Sequence, residues 1–183
     1  MGFCVNPESI IYFDPGKLIL TYIVRGLKMD SETLQQFINR HNIAADIIRL
    51  EEHTLTVEEA ARALDVETVQ IIKSLVFQVN GEPFLVINNG LARVDRKKLA
   101  AYIGVGRKKV KFADPDQVLE MTGFVVGSMP PFGHKNRLRT VVDPAVTRQE
   151  TVYGGGGDIN AMMQIAPNAL LEATRAEIAE LSE

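Results

Sequence analysis

Lys73 stands in the run Ile71-Ile72-Lys73-Ser74-Leu75-Val76-Phe77-Gln78-Val79. Read as one strand, a period of two places it on the face of Leu75, Phe77 and Val79. An ammonium aimed at an apolar face is costly unless it meets an anion or opens into a cleft. The competing reading is a strand-end lysine whose stem lies on apolar surface while its head reaches water. A second candidate is the loop Gly127-Ser128-Met129-Pro130-Pro131-Phe132-Gly133-His134. Glycines at both ends let backbone N–H groups approach a ligand, and the paired prolines stiffen the connection. Such a loop suits a carbonyl or oxyanion in a hydrolytic site, and it also serves as a rigid link between strands. His134 at its end is a candidate base or phosphate ligand, or neither. Asp143 closes an expected strand just before Pro144, a place where α/β active sites collect and where an ordinary Asp-Pro turn is equally at home.

Other chemistries lack their residues. Gly154 to Gly157 is not followed by the Gly-Lys-Ser/Thr of a phosphate-binding loop, and the dinucleotide fingerprint is missing. Histidines 41, 53 and 134 have no metal-ligand spacing, and one cysteine, Cys4, excludes an internal disulfide framework and a cysteine-cluster zinc site. No nucleophile elbow is present. No metal or cofactor is therefore expected.

These residues need elements to hold them. Thr56-Val57-Glu58-Glu59 is a capping box that opens a helix through about Leu64. Asn80-Gly81 is a hairpin turn between Ile71–Val79 and a returning strand at 84–87. Asp95 caps a basic helix that stops near Gly104, and Asp114-Pro115 opens another that Thr122-Gly123 ends. Before these, a helix with Asp30 or Ser31 as N-cap and a strand at 47–50 are expected. After them come strands at 110–112, 124–126, 139–142 and 163–165. Pro167 opens a last amphipathic helix carrying Leu170, Leu171, Ile178 and Leu181. Helices alternate with strands, but the hairpin demands an antiparallel pair, so the expected fold is α/β with a mixed, partly antiparallel central sheet surrounded by helices. Residues 1–28 have a different texture. Asp14-Pro15-Gly16-Lys17 separates two β-rich runs, so they read as an extension with a hairpin, or as the result of an upstream start codon. Residues 29–183 read as the domain.

The chain has 183 residues, 46% of them hydrophobic and 23% charged, in the range of an ordinary globular domain. No apolar run approaches the roughly 20 residues that span a bilayer, and no basic segment precedes residues 18–24 as in a secretion signal. A cytoplasmic protein with no membrane partner is expected. The net charge of −3 argues against a nucleic-acid partner, but its distribution reverses that. Between Arg93 and Arg139 eleven basic residues face four acidic ones, a charge of +7, which leaves −10 for the remainder. A basic middle beside a candidate loop points to a polyanionic substrate.

Several ordered stretches resemble one family. Thr56-Val57-Glu58-Glu59-Ala60-Ala61, Ile72-Lys73-Ser74-Leu75-Val76-Phe77, Thr122-Gly123-Phe124-Val125-Val126-Gly127 with Pro131-x-Gly133, then Asp143 and Tyr153 to Gly157, are similar to the YbaK/ProX family of aminoacyl-tRNA deacylases. These are relatives of the editing domain inserted in bacterial prolyl-tRNA synthetases. The resemblance runs from about Met29 to Leu171, and it adds a barrel-like character to the expected sheet. It implies hydrolysis, in trans, of the ester joining a wrong amino acid to the 3′ adenosine of a tRNA, with tRNA-Pro the expected carrier and prolyl-tRNA synthetase a candidate partner.

In that family Lys73 matches the hallmark lysine, expected to hold the terminal nucleotide or polarise the site. Gly127, Ser128, Met129, Pro130 and Pro131 match the Gly-x-x-x-Pro loop, expected to hold the aminoacyl carbonyl. Water attacks with help from the 2′-hydroxyl of the tRNA, and Asp143 is a candidate contact for the amino group. Phe132, Gly133, His134, Gly155, Gly156 and Gly157 are carried over as substrate-binding. The sequence departs at Pro130, where relatives acting on cysteinyl-tRNA usually have serine, and after Gly157, where Asp158-Ile159-Asn160 replaces an Arg-Gly step. An alanine-sized or slightly larger amino acid stays open. A non-catalytic sensor of a tRNA end or amino acid is the alternative, and a small-molecule hydrolase using the same loop a third.

Overall fold

A computed structural model describes residues 28–51, 54 and 56–183; the hairpin expected within residues 1–28 lies outside them. The Asn80-Gly81 turn behaves as its residues require. Both adopt positive φ, 54° and 92°, and they join β2 (Ile72–Val79) to β3 (Glu82–Asn89) in a register running from Ile72 opposite Asn89 to Val79 opposite Glu82. This hairpin is the centre of a five-stranded sheet. β4 (Val110–Phe112) adds to the outer side of β2, β5 (Arg139–Val142) runs parallel to β3, and the short β8 (Glu177–Ile178) runs parallel to β5. A three-stranded antiparallel sheet is built from β1 (Ala45–Arg49), β7 (Ala161–Ile165) and β6 (Val152–Gly155) in that spatial order. One parallel bridge, Ile71 to Tyr153, connects the two sheets. The expected mixed, partly antiparallel α/β architecture is present. The barrel-like single sheet is corrected: the strands divide over two sheets that do not close.

Alternation along β2 separates two cores. Ile72 and Val76 face a cluster with Leu34, Phe124, Met129 and Met163, while Phe77 and Val79 face another with Leu99, Val110 and Leu181. Helices α1 (Ser31–His41), α4 (Pro115–Thr122), α5 (Pro144–Thr147) and α6 (Pro167–Thr174) pack on the first and α3 (Arg96–Ile103) on the second, while α2 (Val57–Leu64) packs with Ile71 and Met162 in a third, smaller cluster. Their ends follow from local chemistry. Asp30, Thr56, Asp95 and Asp114 cap four of them through side-chain oxygens, and Thr56 with Glu59 forms the expected reciprocal box. Among the described residues no helix is long and apolar enough to cross a membrane.

Two expected elements are corrected. Residues 124–126 are not a strand. Gly123 ends α4 with φ 81°, Thr122 Oγ1 donates to Val118 O and accepts from Phe124 N, and Val125 O accepts from Ser128 N. These local bonds withdraw Phe124 N and Val125 O from a ladder. The last helix stops at Thr174, whose hydroxyl donates to Leu170 O, and Arg175 turns left-handed at φ 52°. Ile178 then lies in β8, and Leu181 is fully buried in the second core.

Asp143 explains that departure. It is 3% exposed; Oδ1 accepts from Ala145 N at the start of α5, and Oδ2 accepts from Leu181 N and Ser182 N at 3.1 and 3.0 Å. Burial by itself pushes the carboxyl up, but these amides outweigh it and hold it below the ordinary value. Asp143→Ala leaves three amides without their acceptor. The expected loss is about 2–4 kcal/mol in urea denaturation, with faster proteolysis after Arg175 in the native protein.

Candidate active site

The cleft of interest forms where β2 lacks a neighbour. Gly90 N donates to Ile71 O and Asp143 N donates to Ile87 O. Odd-numbered residues of β2 therefore exchange main-chain bonds with β3, and even-numbered residues aim theirs at the opposite edge. β4 covers that edge only from Val76 onward, where Ala113 N donates to Val76 O, and Tyr153 meets the strand at Ile71. Ser74 lies between, with its N–H and C=O facing a cleft of about 320 Å³. Its Oγ is also buried without a hydrogen-bond partner. The rest of the lining is mainly apolar, including Val57 and Ala60 of α2, Ile71, Met162 and Met129, with Phe112 and Val126 at the lips. No Asp or Glu is among the described lining residues.

Of the expected site residues, Lys73, Gly127, Met129 and Gly155 line this cleft together. Lys73 is exposed and shares the side of β2 on which Phe77 is buried. No ion pair to it is present among the described residues. Ser128 is buried behind the lining; its N–H is spent on Val125 O, and its own carbonyl accepts from Gly157 N at 2.9 Å. Gly155 must be glycine because a Cβ there would sit 2.5 Å from Met129 O. Gly157, at φ 97°, packs so closely on the Asp30–Ser31 backbone that a Cβ would lie 2.7 Å away, and Gly156 donates to Ala161 O. The glycine run thus presses β6 against the back of the 127–131 loop. Asp143 is not brought to the cleft; its oxygens are occupied by α5 and the tail.

The far half of the loop faces inward. Pro130 and Pro131 are buried, Phe132 lies in the first core with its ring centroid 6.1 Å from that of Phe37, and Gly133 sits against Leu34. His134 Nε2 donates to Pro130 O at 2.8 Å. Burial lowers its pKa to about 4 even though the Pro130 bond opposes the shift. At neutral pH the ring is an uncharged brace for the loop.

Sequence reasoning did not single out Ser74, Phe112 or Val126. For Ser74 a signal existed, since it lies in the Lys73 motif. Val126 likewise lies in the Thr122–Gly127 stretch, whereas Phe112 became visible only when its exposure, 55%, was known.

Two measurements follow from this geometry. The folded His134 stays neutral while the unfolded ring protonates near 6.5. Its contribution is therefore complete above pH 6.5 and declines as pH falls towards 4, by about 3 kcal/mol in total. His134→Gln, which keeps a donor for Pro130, is expected to flatten that decline in a series of melts. Ser74→Ala removes an unpartnered buried hydroxyl and is expected to raise Tm by about 2–4 °C; a lower Tm would show that the hydroxyl is bonded.

Comparison with known proteins agrees with this architecture. Residues 51–173 match the family described as "Aminoacyl-tRNA editing domain". The chain is 30% identical over 145 residues to the "Uncharacterized protein YwhH" of Bacillus subtilis, covering 79% of this chain and 90% of the relative. It is 29% identical over 133 residues to the "Putative Cys-tRNA(Pro)/Cys-tRNA(Cys) deacylase EbsC" of Enterococcus faecalis, covering 72% and 79%. Among solved structures, one described as "a putative trans-editing enzyme for prolyl tRNA synthetase" superposes with a TM-score of 0.79 at 31% identity, covering 84% of this chain and 96% of that one. With two thirds of its length matched to one family and its fold shared with a solved relative, the chain belongs to the aminoacyl-tRNA editing domain family.

Proposed function

We propose that this protein is a trans-acting aminoacyl-tRNA deacylase that hydrolyses the ester of a mischarged amino acid on tRNA-Pro. Residues 29–183 form the editing domain and residues 1–28 an extension. The observation that carries the reading is the placement of Lys73 and the Gly127–Met129 segment on one cleft at the open edge of β2. Lys73 supplies an exposed cation for the negatively charged terminal nucleotide. Gly127 and Met129 offer main chain to the acyl carbonyl, whose oxygen gains charge as water adds to the carbon. The tetrahedral intermediate then collapses with loss of the ribose 3′ oxygen, which takes a proton, and the neighbouring 2′-hydroxyl assists. The apolar walls reduce competing solvation and suit a small uncharged side chain. A tRNA mischarged by prolyl-tRNA synthetase is the natural supply of such an ester, which makes that enzyme the functional partner.

Lys73 is exposed, so its replacement leaves the core intact. Lys73→Ala is expected to lower the deacylation rate by about 10²–10³-fold with an unchanged melt, measured on tRNA-Pro and a control tRNA charged with several amino acids. Full activity of the variant would overturn the role of Lys73. Binding without turnover across the whole panel would instead favour a sensor of the tRNA end.

A further inference from the structure

Among the described Phe and Tyr residues Phe112 is the exposed one, at 55%, while the others are buried or partly buried. Its position is held on one side only. The β2–β4 register sets it opposite Phe77, with ring centroids 4.3 Å apart and planes tilted by 32°. Ala113 behind it is tied to Val76 O, so the end of β4 is anchored. One face of the ring rests on a fully buried phenylalanine and the rest is open at the lip of the cleft, with exposed Val126 also on the lining. An open aromatic ring on an edge strand is a liability unless something covers it.

The approach to that ring is basic. Arg107, Lys108, Lys109 and Lys111 are all exposed, and among the described residues none forms an ion pair. Asp114 and Asp116 follow, but the Asp114 carboxylate is engaged in capping α4. Other members of the basic segment are used differently. Lys98 is bound to Glu180 and Arg139 to Glu177, on the far side of the sheet where β5 meets β8. Of the basic residues of this segment that form no ion pair among the described residues, Arg107, Lys108, Lys109 and Lys111 are the ones in the strand and turn that carry Phe112.

We propose that Phe112 is a stacking platform for the base of the terminal nucleotide, with the 107–111 run holding the phosphates that lead to it. Every base has a π-face, and a rigid aromatic beside a basic track is the combination that binds single-stranded ends. This rests on the reading of the cleft as a deacylase site and adds the residue that fixes the nucleotide while the ester lies between Lys73 and Gly127.

The sequence contains no tryptophan, so Phe112→Trp places a single reporter at the site. The ligand is an acceptor-stem minihelix of tRNA-Pro with a complete CCA end, compared with one lacking the terminal adenosine. The complete end is expected to quench the reporter and the truncated one to leave it nearly unchanged. Phe112→Ala is expected to weaken binding of the complete end by about tenfold to hundredfold while leaving the truncated one unaltered. The paired Lys109→Ala, Lys111→Ala variant weakens both equally and reduces the salt slope by about 2. Equal quenching by the two minihelices, or unchanged affinity of Phe112→Ala, overturns the platform while leaving the role of Lys73 intact. Failure of the wild-type protein to bind the complete minihelix at all overturns the deacylase reading and the platform with it.

Discussion

The structure depends on the unequal pairing of the two edges of β2. Towards β3 the strand is paired along its whole length; on the other side it meets Tyr153 at one end and β4 at the other. Because main-chain groups alternate between edges, the interval between those partners leaves the amide and carbonyl of Ser74 facing open space. A strand paired along the whole of both edges would have no such interval, and a free edge would have no walls. The division into two sheets makes a cleft in which backbone hydrogen-bonding capacity and an apolar lining coexist.

The remaining elements keep that interval open and fixed. Gly155 lets β6 lie within contact of the 127–131 loop, and Gly157 N ties the following turn to Ser128 O. On the opposite side of the loop, His134 braces Pro130 and Phe132 enters the core. Apart from Gly155, which lines the cleft, the residues that hold the loop lie outside it, so the loop is fixed by packing from behind. Asp143 performs a comparable service at a distance by binding the tail that carries Leu181 into the second core. The unpartnered Ser74 hydroxyl runs the other way, a local cost at the site that the rest of the fold sustains.

Much of the frame was legible because its signals are local. The Asn-Gly hairpin, the Thr56 box, the Asp95 and Asp114 caps and the Gly104 and Gly123 stops depend on residues within a few positions of each other. The failures share a different cause. Residues 124–126 look like a strand by composition, yet the hydroxyl of Thr122 captures the backbone first. Ile178 and Leu181 continue a helical pattern, yet a carboxylate more than thirty residues earlier takes the tail out of it. β6 was hidden because its glycines are selected by what approaches them and not by strand propensity.

The sequence by itself determined the class of fold, the motif around Lys73, the glycine-proline loop and the family, since each is written in short ordered stretches. The tertiary structure alone decided which of those residues share a cleft. It placed Lys73 with Gly127, Met129 and Gly155, turned His134 and Phe132 inward, and assigned Asp143 to the tail. It also divided the basic segment, pairing Lys98 and Arg139 with the acidic tail and leaving the others, among them Arg107, Lys108, Lys109 and Lys111 near Phe112, without an ion pair among the described residues. Charge and residue type are properties of the chain, but exposure, pairing and an unfilled edge exist only once distant strands have found their register.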